Sequence, residues 1–572
     1  MQSLLLLAAL IAAEPDKPFA ISVVDSKTNR GVPLIELKTV NGIRLVADSN
    51  GVVAFHEPGL MNETVFFHIA GHGYEYPKDG FGIRGKQVKI EPGGSFTLKV
   101  DRINIAERLY RITGGGLYRD SFLTGIKAPI KEPLLNAQVV GSDSVMNAIY
   151  RGKLHWFWGD TLRPSYPLGN FHVPGATSAL PGKGGLDPDV GIDLTYFVDD
   201  KGFAKKTCEM PGKGPTWLTS LVVLPGPDGR ERMYGTFVKV EPPLKLYSRG
   251  LAVWDDDKRQ FEKIRDIDMA APIFPMGHAT RHGDHVYFAH PYPLTRMPAT
   301  GEAFADPNAW ETFTPLKDGS ASDLDRDADG KLRYAWRKKT PAVGPAEQAK
   351  LVSAGKMKAA ESPINLRDRD TGKPVTAHGG SVAWNEYRKR WTLLFVEHNG
   401  KQSFLGEVWY AEADELTGPW RYAVKVATHD RMSFYNPKQH PELAKEGGRV
   451  IYFEGTYTHD FSSNPDVTPR YEYNQLMYRL DLGDTRTALP RPVPGTDFMA
   501  LDRQLPGSIP LPDQPQVFML PDDKTAPAAT VPLHSFTNGE TKRYGVAERM
   551  AGFERSKQPV GRLWPLIQDN SR

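Results

Sequence analysis

Residues 141–161, GSDSVMNAIYRGKLHWFWGDT, decide how this chain is read. Ser144 to Tyr150 forms a short strand pattern and Arg151-Gly152-Lys153 a turn. Leu154 to Gly159 is a second strand dense in aromatics. Antiparallel pairing sets the outer ends of such a hairpin side by side. Asp143 at its entry and Asp160 at its exit therefore share one rim.

Four more stretches repeat this organisation, each with an inner strand, a second strand that ends in polar residues, and outer strands. The second starts near Thr216-Trp217-Leu218, continues through 232–238 and has outer runs at 251–254 and 261–264. The third starts at Met276-Gly277-His278-Ala279 and reaches 286–290. The fourth starts at 377–381, reaches 391–397 and carries 407–411 and 418–420 outside. The fifth starts at 433–440, reaches 450–454 and ends at 474–480. Four-stranded sheets at this spacing predict an all-β chain whose residues 105–482 form a five-bladed β-propeller. Two sandwiches in tandem are the alternative. Two long insertions interrupt the repeat, 162–193 and 300–374, the latter basic with a helix predicted at 345–360.

Ahead of the repeat, residues 18–103 alternate in period two, with turns at Asn29-Arg30-Gly31 and Ser49-Asn50-Gly51, and predict a small β-sandwich. Residues 108–125 supply the strand that closes the propeller. Their run Gly114 to Gly116 lacks the spacing and the lysine of a phosphate-binding loop and reads as a turn. A proline-rich linker is expected over 483–528 and a small C-terminal module over 529–572. Residues 1–13 read as a short signal peptide, although Gln2 and Ser3 give it no positive start, and imply a secreted or periplasmic protein. That stretch is too short to span a bilayer, and no later run reaches the ~18 apolar residues a span requires.

At 572 residues the chain is long enough for roughly three or four domains. Its 54 glycines, 47 prolines and many aromatics favour turn-dense β-structure. A net charge of +3 gives no nucleic-acid signal. The single cysteine, Cys208, permits no intrachain disulfide, so stability must come from packed sheets.

In a propeller the inner strand starts on the face where the second strand ends. One pole of the predicted disc therefore collects Asp143 and Asp160, Trp217, His278 and His290, His378 and Glu397 with His398, and Asn436, His440 and Glu454. Glycoside cleavage needs one carboxyl group to protonate the leaving oxygen and another to attack the anomeric carbon or activate water. Asp143 and Asp160 are the first candidate pair. Glu397 and Glu454, each read as ending an apolar strand, are alternative acids. Trp217, Tyr166 or Trp158 could stack on a sugar ring, and His278, His290, His378, Asn436 and His440 could bind its hydroxyls. No cofactor is expected, although the histidines could instead hold a divalent metal in the funnel. The run 325–330, DRDADG, opens like a calcium loop but has Trp336 at its twelfth position, so it reads as a hairpin turn.

With these residues in view, the organisation resembles the five-bladed propeller glycosidases of the arabinanase and β-xylosidase type. In that group an Asp at the start of the first inner strand is base or nucleophile, and Asp143 in GSDSV occupies that place. HWFWGDT, ending at Thr161, resembles the hallmark of a related family linked to endo-D-arabinanases, and ADELTGPW (413–420) resembles an outer-strand turn of these propellers. VVD followed by RGVP in residues 18–103 resembles the prealbumin-like sandwich appended to secreted enzymes. The chain departs by its extra histidines and by lacking a separate acid motif in the third unit. The resemblance implies hydrolysis of a polysaccharide that contains arabinofuranosides. A non-catalytic glycan-binding propeller and a metal- or His-dependent polysaccharide lyase are the competing expectations.

Overall fold

The computed structural model describes residues 17–566, so the segment read as a signal peptide lies outside the described residues. The chain divides into two compact units, one holding the residues up to Ile103 with Gly116–Leu134, the other Asn104–Gly115 with everything from Leu135. Both are built from sheets with only short helices, so the chain is all-β as expected. Among the described residues no helix is long and apolar enough to cross a membrane.

The first unit consists of two four-stranded sheets. One runs in the order Val52–Phe55, Phe19–Asp25, Ser95–Arg102, Tyr74–Glu75, and the other Arg44–Val46, Glu36–Thr39, Thr64–Ala70, Gly85–Lys89. Their alternating inward residues, including Ile21, Val23, Leu37, Val53, Phe67 and Leu98, share one apolar core. The helix Arg119–Leu123 belongs here, because Asp120 accepts from the amide of Ala54 (3.0 Å) and Asp48 from that of Ser121 (2.7 Å).

In the second unit the deciding hairpin pairs Val145–Tyr150 with Lys153–Trp158 in strict register, Val145 opposite Trp158 and Tyr150 opposite Lys153. Its two-residue turn places Arg151 at φ 48° and Gly152 at φ 76°, the paired positive values that match the twist of a tight hairpin. Both faces of the second strand are covered. Leu154, Trp156 and Trp158 pack toward Tyr452 and Met477, while Phe157 packs toward Leu221, Met233 and Phe237. A strand buried on both sides has no polar face, which explains the unbroken aromatic run.

The same logic repeats around the unit. The strands Thr216–Pro225, Glu231–Glu241, Lys245–Asp255 and Gln260–Ile267 form the second sheet; Gly277–His282, His285–Ala289, Pro293–Pro298 and Glu311–Thr314 form the third. These two are continuous with each other, because their first strands pair in parallel at Ser220–Gly277 and Leu221–His278; with Ala335–Arg337 on the edge beside Glu311–Thr314 the sheet has nine strands. The fourth sheet is Ala377–Asn385, Arg390–Glu397, Val408–Ala413 and Trp420–Ala427, edged by Ile364–Asp368. The fifth is Ser433–Gln439, Val450–Thr458 and Asn474–Asp481, completed by Glu107–Arg111 from the far end of the sequence, the closing strand that was expected. Apolar clusters lie between second and third sheets around Val222, Phe288 and Met297, and between third and fourth around Tyr287, Val382 and Leu393. Between fourth and fifth, Val396 and Leu405 meet Tyr435. The fifth then packs back on the first.

Two expectations about the connections are corrected. Residues 162–193 are not an insertion. They contain Gly175–Ala179, the third strand of the first sheet, and Tyr166–Asn170, which extends a small side sheet through Thr161–Arg163 to Gly141–Ser142. The stretch 300–374 likewise supplies the outer strand Glu311–Thr314, and its helix is shorter than expected, Pro345–Ser353. Nor is 483–528 an unstructured linker. Pro490–Pro492, Phe498–Leu501, Ile509–Leu511 and Gln514–Met519 join Val531–Asn538, Thr541–Gly545 and Gly561–Pro565 in one sheet. Pro490, Pro492 and Pro510 sit on its outer strands Pro490–Pro492 and Ile509–Leu511, the positions where a sheet best tolerates a missing N–H. That sheet is tied to the fourth one: Trp564 Nε1 donates to the Arg369 carbonyl (2.8 Å), and Arg388 bridges Glu412 and Asp502.

Candidate active site

Asp143 and Asp160 meet where the hairpin predicts. The Asp143 amide donates to the Asp160 carbonyl (2.9 Å), and the Gly159 amide donates to the Asp143 carbonyl (2.7 Å). Both side chains are half-buried. Burial pushes both carboxyls up, Asp160 to about 6 with the charge of Asp143 as the second cause. Their hydrogen bonds separate their roles. Asp143 Oδ1 accepts from Ser144 Oγ (2.7 Å) and Thr456 Oγ1 (3.4 Å), and the Tyr435 hydroxyl acts on the same group. Among the described residues, Trp217 Nε1 (3.1 Å) is the side-chain donor to Asp160 Oδ1. Asp143 is thus the carboxyl whose anion has more hydrogen-bond donors, and Asp160 the one with fewer.

The site straddles the seam between first and fifth sheets. Thr456 Oγ1 also accepts from the Ser144 amide (2.9 Å) and from Gln475 Nε2 (2.8 Å). Asn436 Nδ2 donates to Ser144 Oγ (2.7 Å). Ser144 (φ 30°) and Asn436 (φ 52°) both occupy left-handed backbone, and the Asn436 strand bulges between Tyr435 and Lys438. Such conformations cost about 1–3 kcal/mol each and persist where the surroundings over-determine them. Here the Ser144 hydroxyl donates to Asp143 and the Asn436 amide donates to that hydroxyl.

From Asn436 the rim continues into the third and fourth units. A Cβ on Gly379 would lie 2.8 Å from Asn436 Oδ1 and 3.3 Å from His290 Cε1, so the three residues are in close contact. The His290 and His378 rings are 6.2 Å apart, and His378 and His398 5.5 Å. Burial and the neighbouring His378 hold His290 down at about 4; burial and His398 lower His378. Neutral imidazoles of this kind offer one donor and one acceptor each, which suits hydroxyl recognition.

Asp143, Asp160, Trp217, Asn436, His290 and His378 thus share one rim. The remaining expectations fare differently. His278 is buried and held well below its usual range by burial and by Lys438, His290 and His440, one layer beneath the rim. His440 is fully buried, lies against Trp156 at a tilt of 55° (5.3 Å between rings) and contacts Asn147 (3.1 Å). Glu454 does not end a strand: Val450–Thr458 runs four residues past it, leaving the carboxylate fully buried, 3.5 Å from His440 Nε2. It is a core ion-pair partner and not a rim acid. Glu397 is half-buried, and Trp409 Nε1 donates to it (2.8 Å); burial raises its pKa, and that hydrogen bond and then Lys425 oppose the rise. Trp158 is buried in the core and unavailable as a sugar platform, whereas Tyr166 is exposed. Asp325 is engaged by Arg333 and Arg337, and Asp327 caps the amides of Asp329 and Lys331, the arrangement of a hairpin turn.

Sequence reasoning missed Ser144, Tyr435, Thr456 and Tyr473. Cutting the strand at Glu454 hid Thr456, and alternation alone would have aimed Tyr435 elsewhere because it cannot register a bulge. Tyr473 is hydrogen-bonded to Asp460 and lies near enough to Asp143 and Asp160 that their charges add to burial in raising its pKa.

No family model matches the chain, and no curated protein does. Among solved structures it is similar to a candidate hydrolase from Bacteroides ovatus, at 13% identity and TM-score 0.38 over 61% of this chain and 87% of that one. It is also similar to an exo-1,5-α-L-arabinanase from a bovine ruminal metagenomic library, at 9% identity and TM-score 0.31 over 64% of this chain and 99% of that one. A third is a GH43_1 enzyme from Xanthomonas citri complexed with xylose, at 11% identity and TM-score 0.31 over 60% of this chain and 87% of that one. Likeness this distant leaves the chemistry to the chain's own residues.

Proposed function

We propose that the protein is an exported glycoside hydrolase in which the five sheets act as propeller blades and the first unit as an appended prealbumin-like sandwich. Its substrate is a polysaccharide, with arabinofuranoside-containing chains first among the candidates. The observation that carries this reading is the coupled pair Asp143 and Asp160: adjacent through backbone hydrogen bonds, partly desolvated, and unequal in hydrogen-bond support. In this scheme Asp160 delivers its proton to the glycosidic oxygen as the C–O bond breaks. Asp143 attacks the anomeric carbon or takes a proton from the incoming water. Trp217 offers a ring face, and Asn436, His290 and His378 bind hydroxyls. No metal enters the scheme.

Release of reducing ends from arabinan, xylan and galactan by the parent and by Asp143→Asn tests it. Cleavage by the parent, with a loss of about 10²–10⁴-fold in the folded variant, is the expected result. Parental rates in Asp143→Asn, or a product absorbing as an unsaturated sugar, would overturn it; the latter outcome is that of a lyase. Binding without cleavage by the parent would leave a lectin.

A further inference from the structure

Beside the histidine rim lies a groove of about 380 Å³ that none of the residues above explains. Its walls are the loop 399–404, which follows the second strand of the fourth sheet, and residues 462–464, which follow the second strand of the fifth. Two routes of ring contacts connect it to the aspartate pair. Along one, His378 meets His398 (5.5 Å), and His398 meets Phe404, which lines the groove, edge to face (5.2 Å). Along the other, Tyr435, which acts on Asp143, meets Phe461 (5.6 Å), the residue just ahead of Ser462. The groove therefore opens from the same pole as the pair.

Phe404 in the lining and Phe461 next to lining residue Ser462 keep 39% and 55% of their surface exposed, unusual for phenylalanine. The lining also holds Asn399, Gln402 and Ser463, polar groups that donate and accept, and the cation Lys401. The guanidinium of Arg431 is already engaged by Asn464 (2.9 Å) and faces Asp466 (3.6 Å). The walls are fixed to each other, because the Arg431 amide donates to the Gln402 carbonyl (3.1 Å) and Asn464 Nδ2 to the Arg431 carbonyl (2.9 Å). Flat apolar faces flanking amides and hydroxyls, preformed and open, suit the alternating apolar face and hydroxyl edge of a sugar chain.

The geometry points to this groove as a remote subsite for the same glycan, so that the protein engages several consecutive sugar units and prefers long chains to short ones. This rests on the glycosidase reading. The double variant Phe404→Ala/Phe461→Ala, both surface positions, tests it against the disaccharide and hexasaccharide of whichever glycan in the panel the parent cuts. Titration calorimetry in an Asp143→Asn background reads binding, and initial rates in the parental background read turnover. The expected result is a hexasaccharide affinity weakened roughly tenfold, the disaccharide affinity unchanged, and KM for the polymer raised at constant kcat. A parent that cuts the glycan while the double variant keeps its full preference for the hexasaccharide, or weakens both ligands equally, overturns the subsite alone. A parent that neither binds nor cuts any glycan of the panel overturns the glycosidase reading and the subsite with it.

Discussion

Replacing Asp160 by asparagine isolates the physical property on which the proposed chemistry depends. The substitution keeps an oxygen for Trp217 Nε1 to donate to and removes the charge. In the native chain the carboxyl is pushed from its ordinary 3.8 to about 6, by burial first and by Asp143 second. A rise of about two units is worth about 3 kcal/mol at 1.36 kcal/mol per unit. The sign follows from linkage. The native state holds this proton more tightly than the unfolded chain, so the group favours the fold below about pH 4. That advantage is lost as pH rises toward 6, and above it the parent folds against the full cost of a desolvated anion. Asp160→Asn should therefore match the parent near pH 4 and exceed it by up to about 3 kcal/mol near pH 8. Urea unfolding followed by tryptophan fluorescence at the two pH values measures the difference, and the same variant should lose turnover. Equal stability at both values, or a variant weaker at pH 8, would refute the claim that Asp160 is a strained, proton-retaining carboxyl.

Three further outcomes follow from the same contacts. Trp217→Phe removes the donor that favours the Asp160 anion, so the alkaline limb of kcat/KM should move upward from about 6, by up to roughly one pH unit; a fixed or falling limb contradicts the assignment. Glu454→Ala takes from buried His440 one of its two carboxylate neighbours, Glu442 staying 3.4 Å from Nδ1, and empties a fully buried position; it should cost about 3–5 kcal/mol in denaturation, while specific activity per folded molecule stays near parental. A selective loss of kcat in soluble, fully stable protein would return Glu454 to the list of acids. Gly379→Ala drives a methyl to 2.8 Å from Asn436 Oδ1, and should lower kcat/KM about tenfold or more with a change in stability of only about 1–3 kcal/mol.

The pole was legible from sequence where hairpin geometry alone determines position. The register of Val145 to Trp158 brings Asp143 and Asp160 together whatever surrounds them, and that pairing holds. Trp217 and His290 followed from the same rule applied to longer strands. The rule failed where strand length was misjudged. Glu454 reads as the end of an apolar strand, yet the ladder continues through Gly455 and Thr456 to Thr458. It failed again at the proline-rich tail, because composition cannot distinguish an edge strand from a linker until its pairing partner is known. The remote groove was beyond reach for a related reason: its walls come from loops more than fifty residues apart, and nothing local marks them as neighbours.

The strand Glu107–Arg111 and the side chains that hold Asp143 have an implication for biosynthesis. Thr456 grips the amide of a residue 312 positions earlier. A ribosome delivers Asp143 early and Thr456 and Tyr435, which act on it, late, and the N-proximal strand waits equally long for its neighbour Asn474–Asp481. A nascent chain that stops short of Thr456 therefore carries Asp143 without that support, and under the proposed hydrolysis its activity would begin only after the fifth sheet has been made.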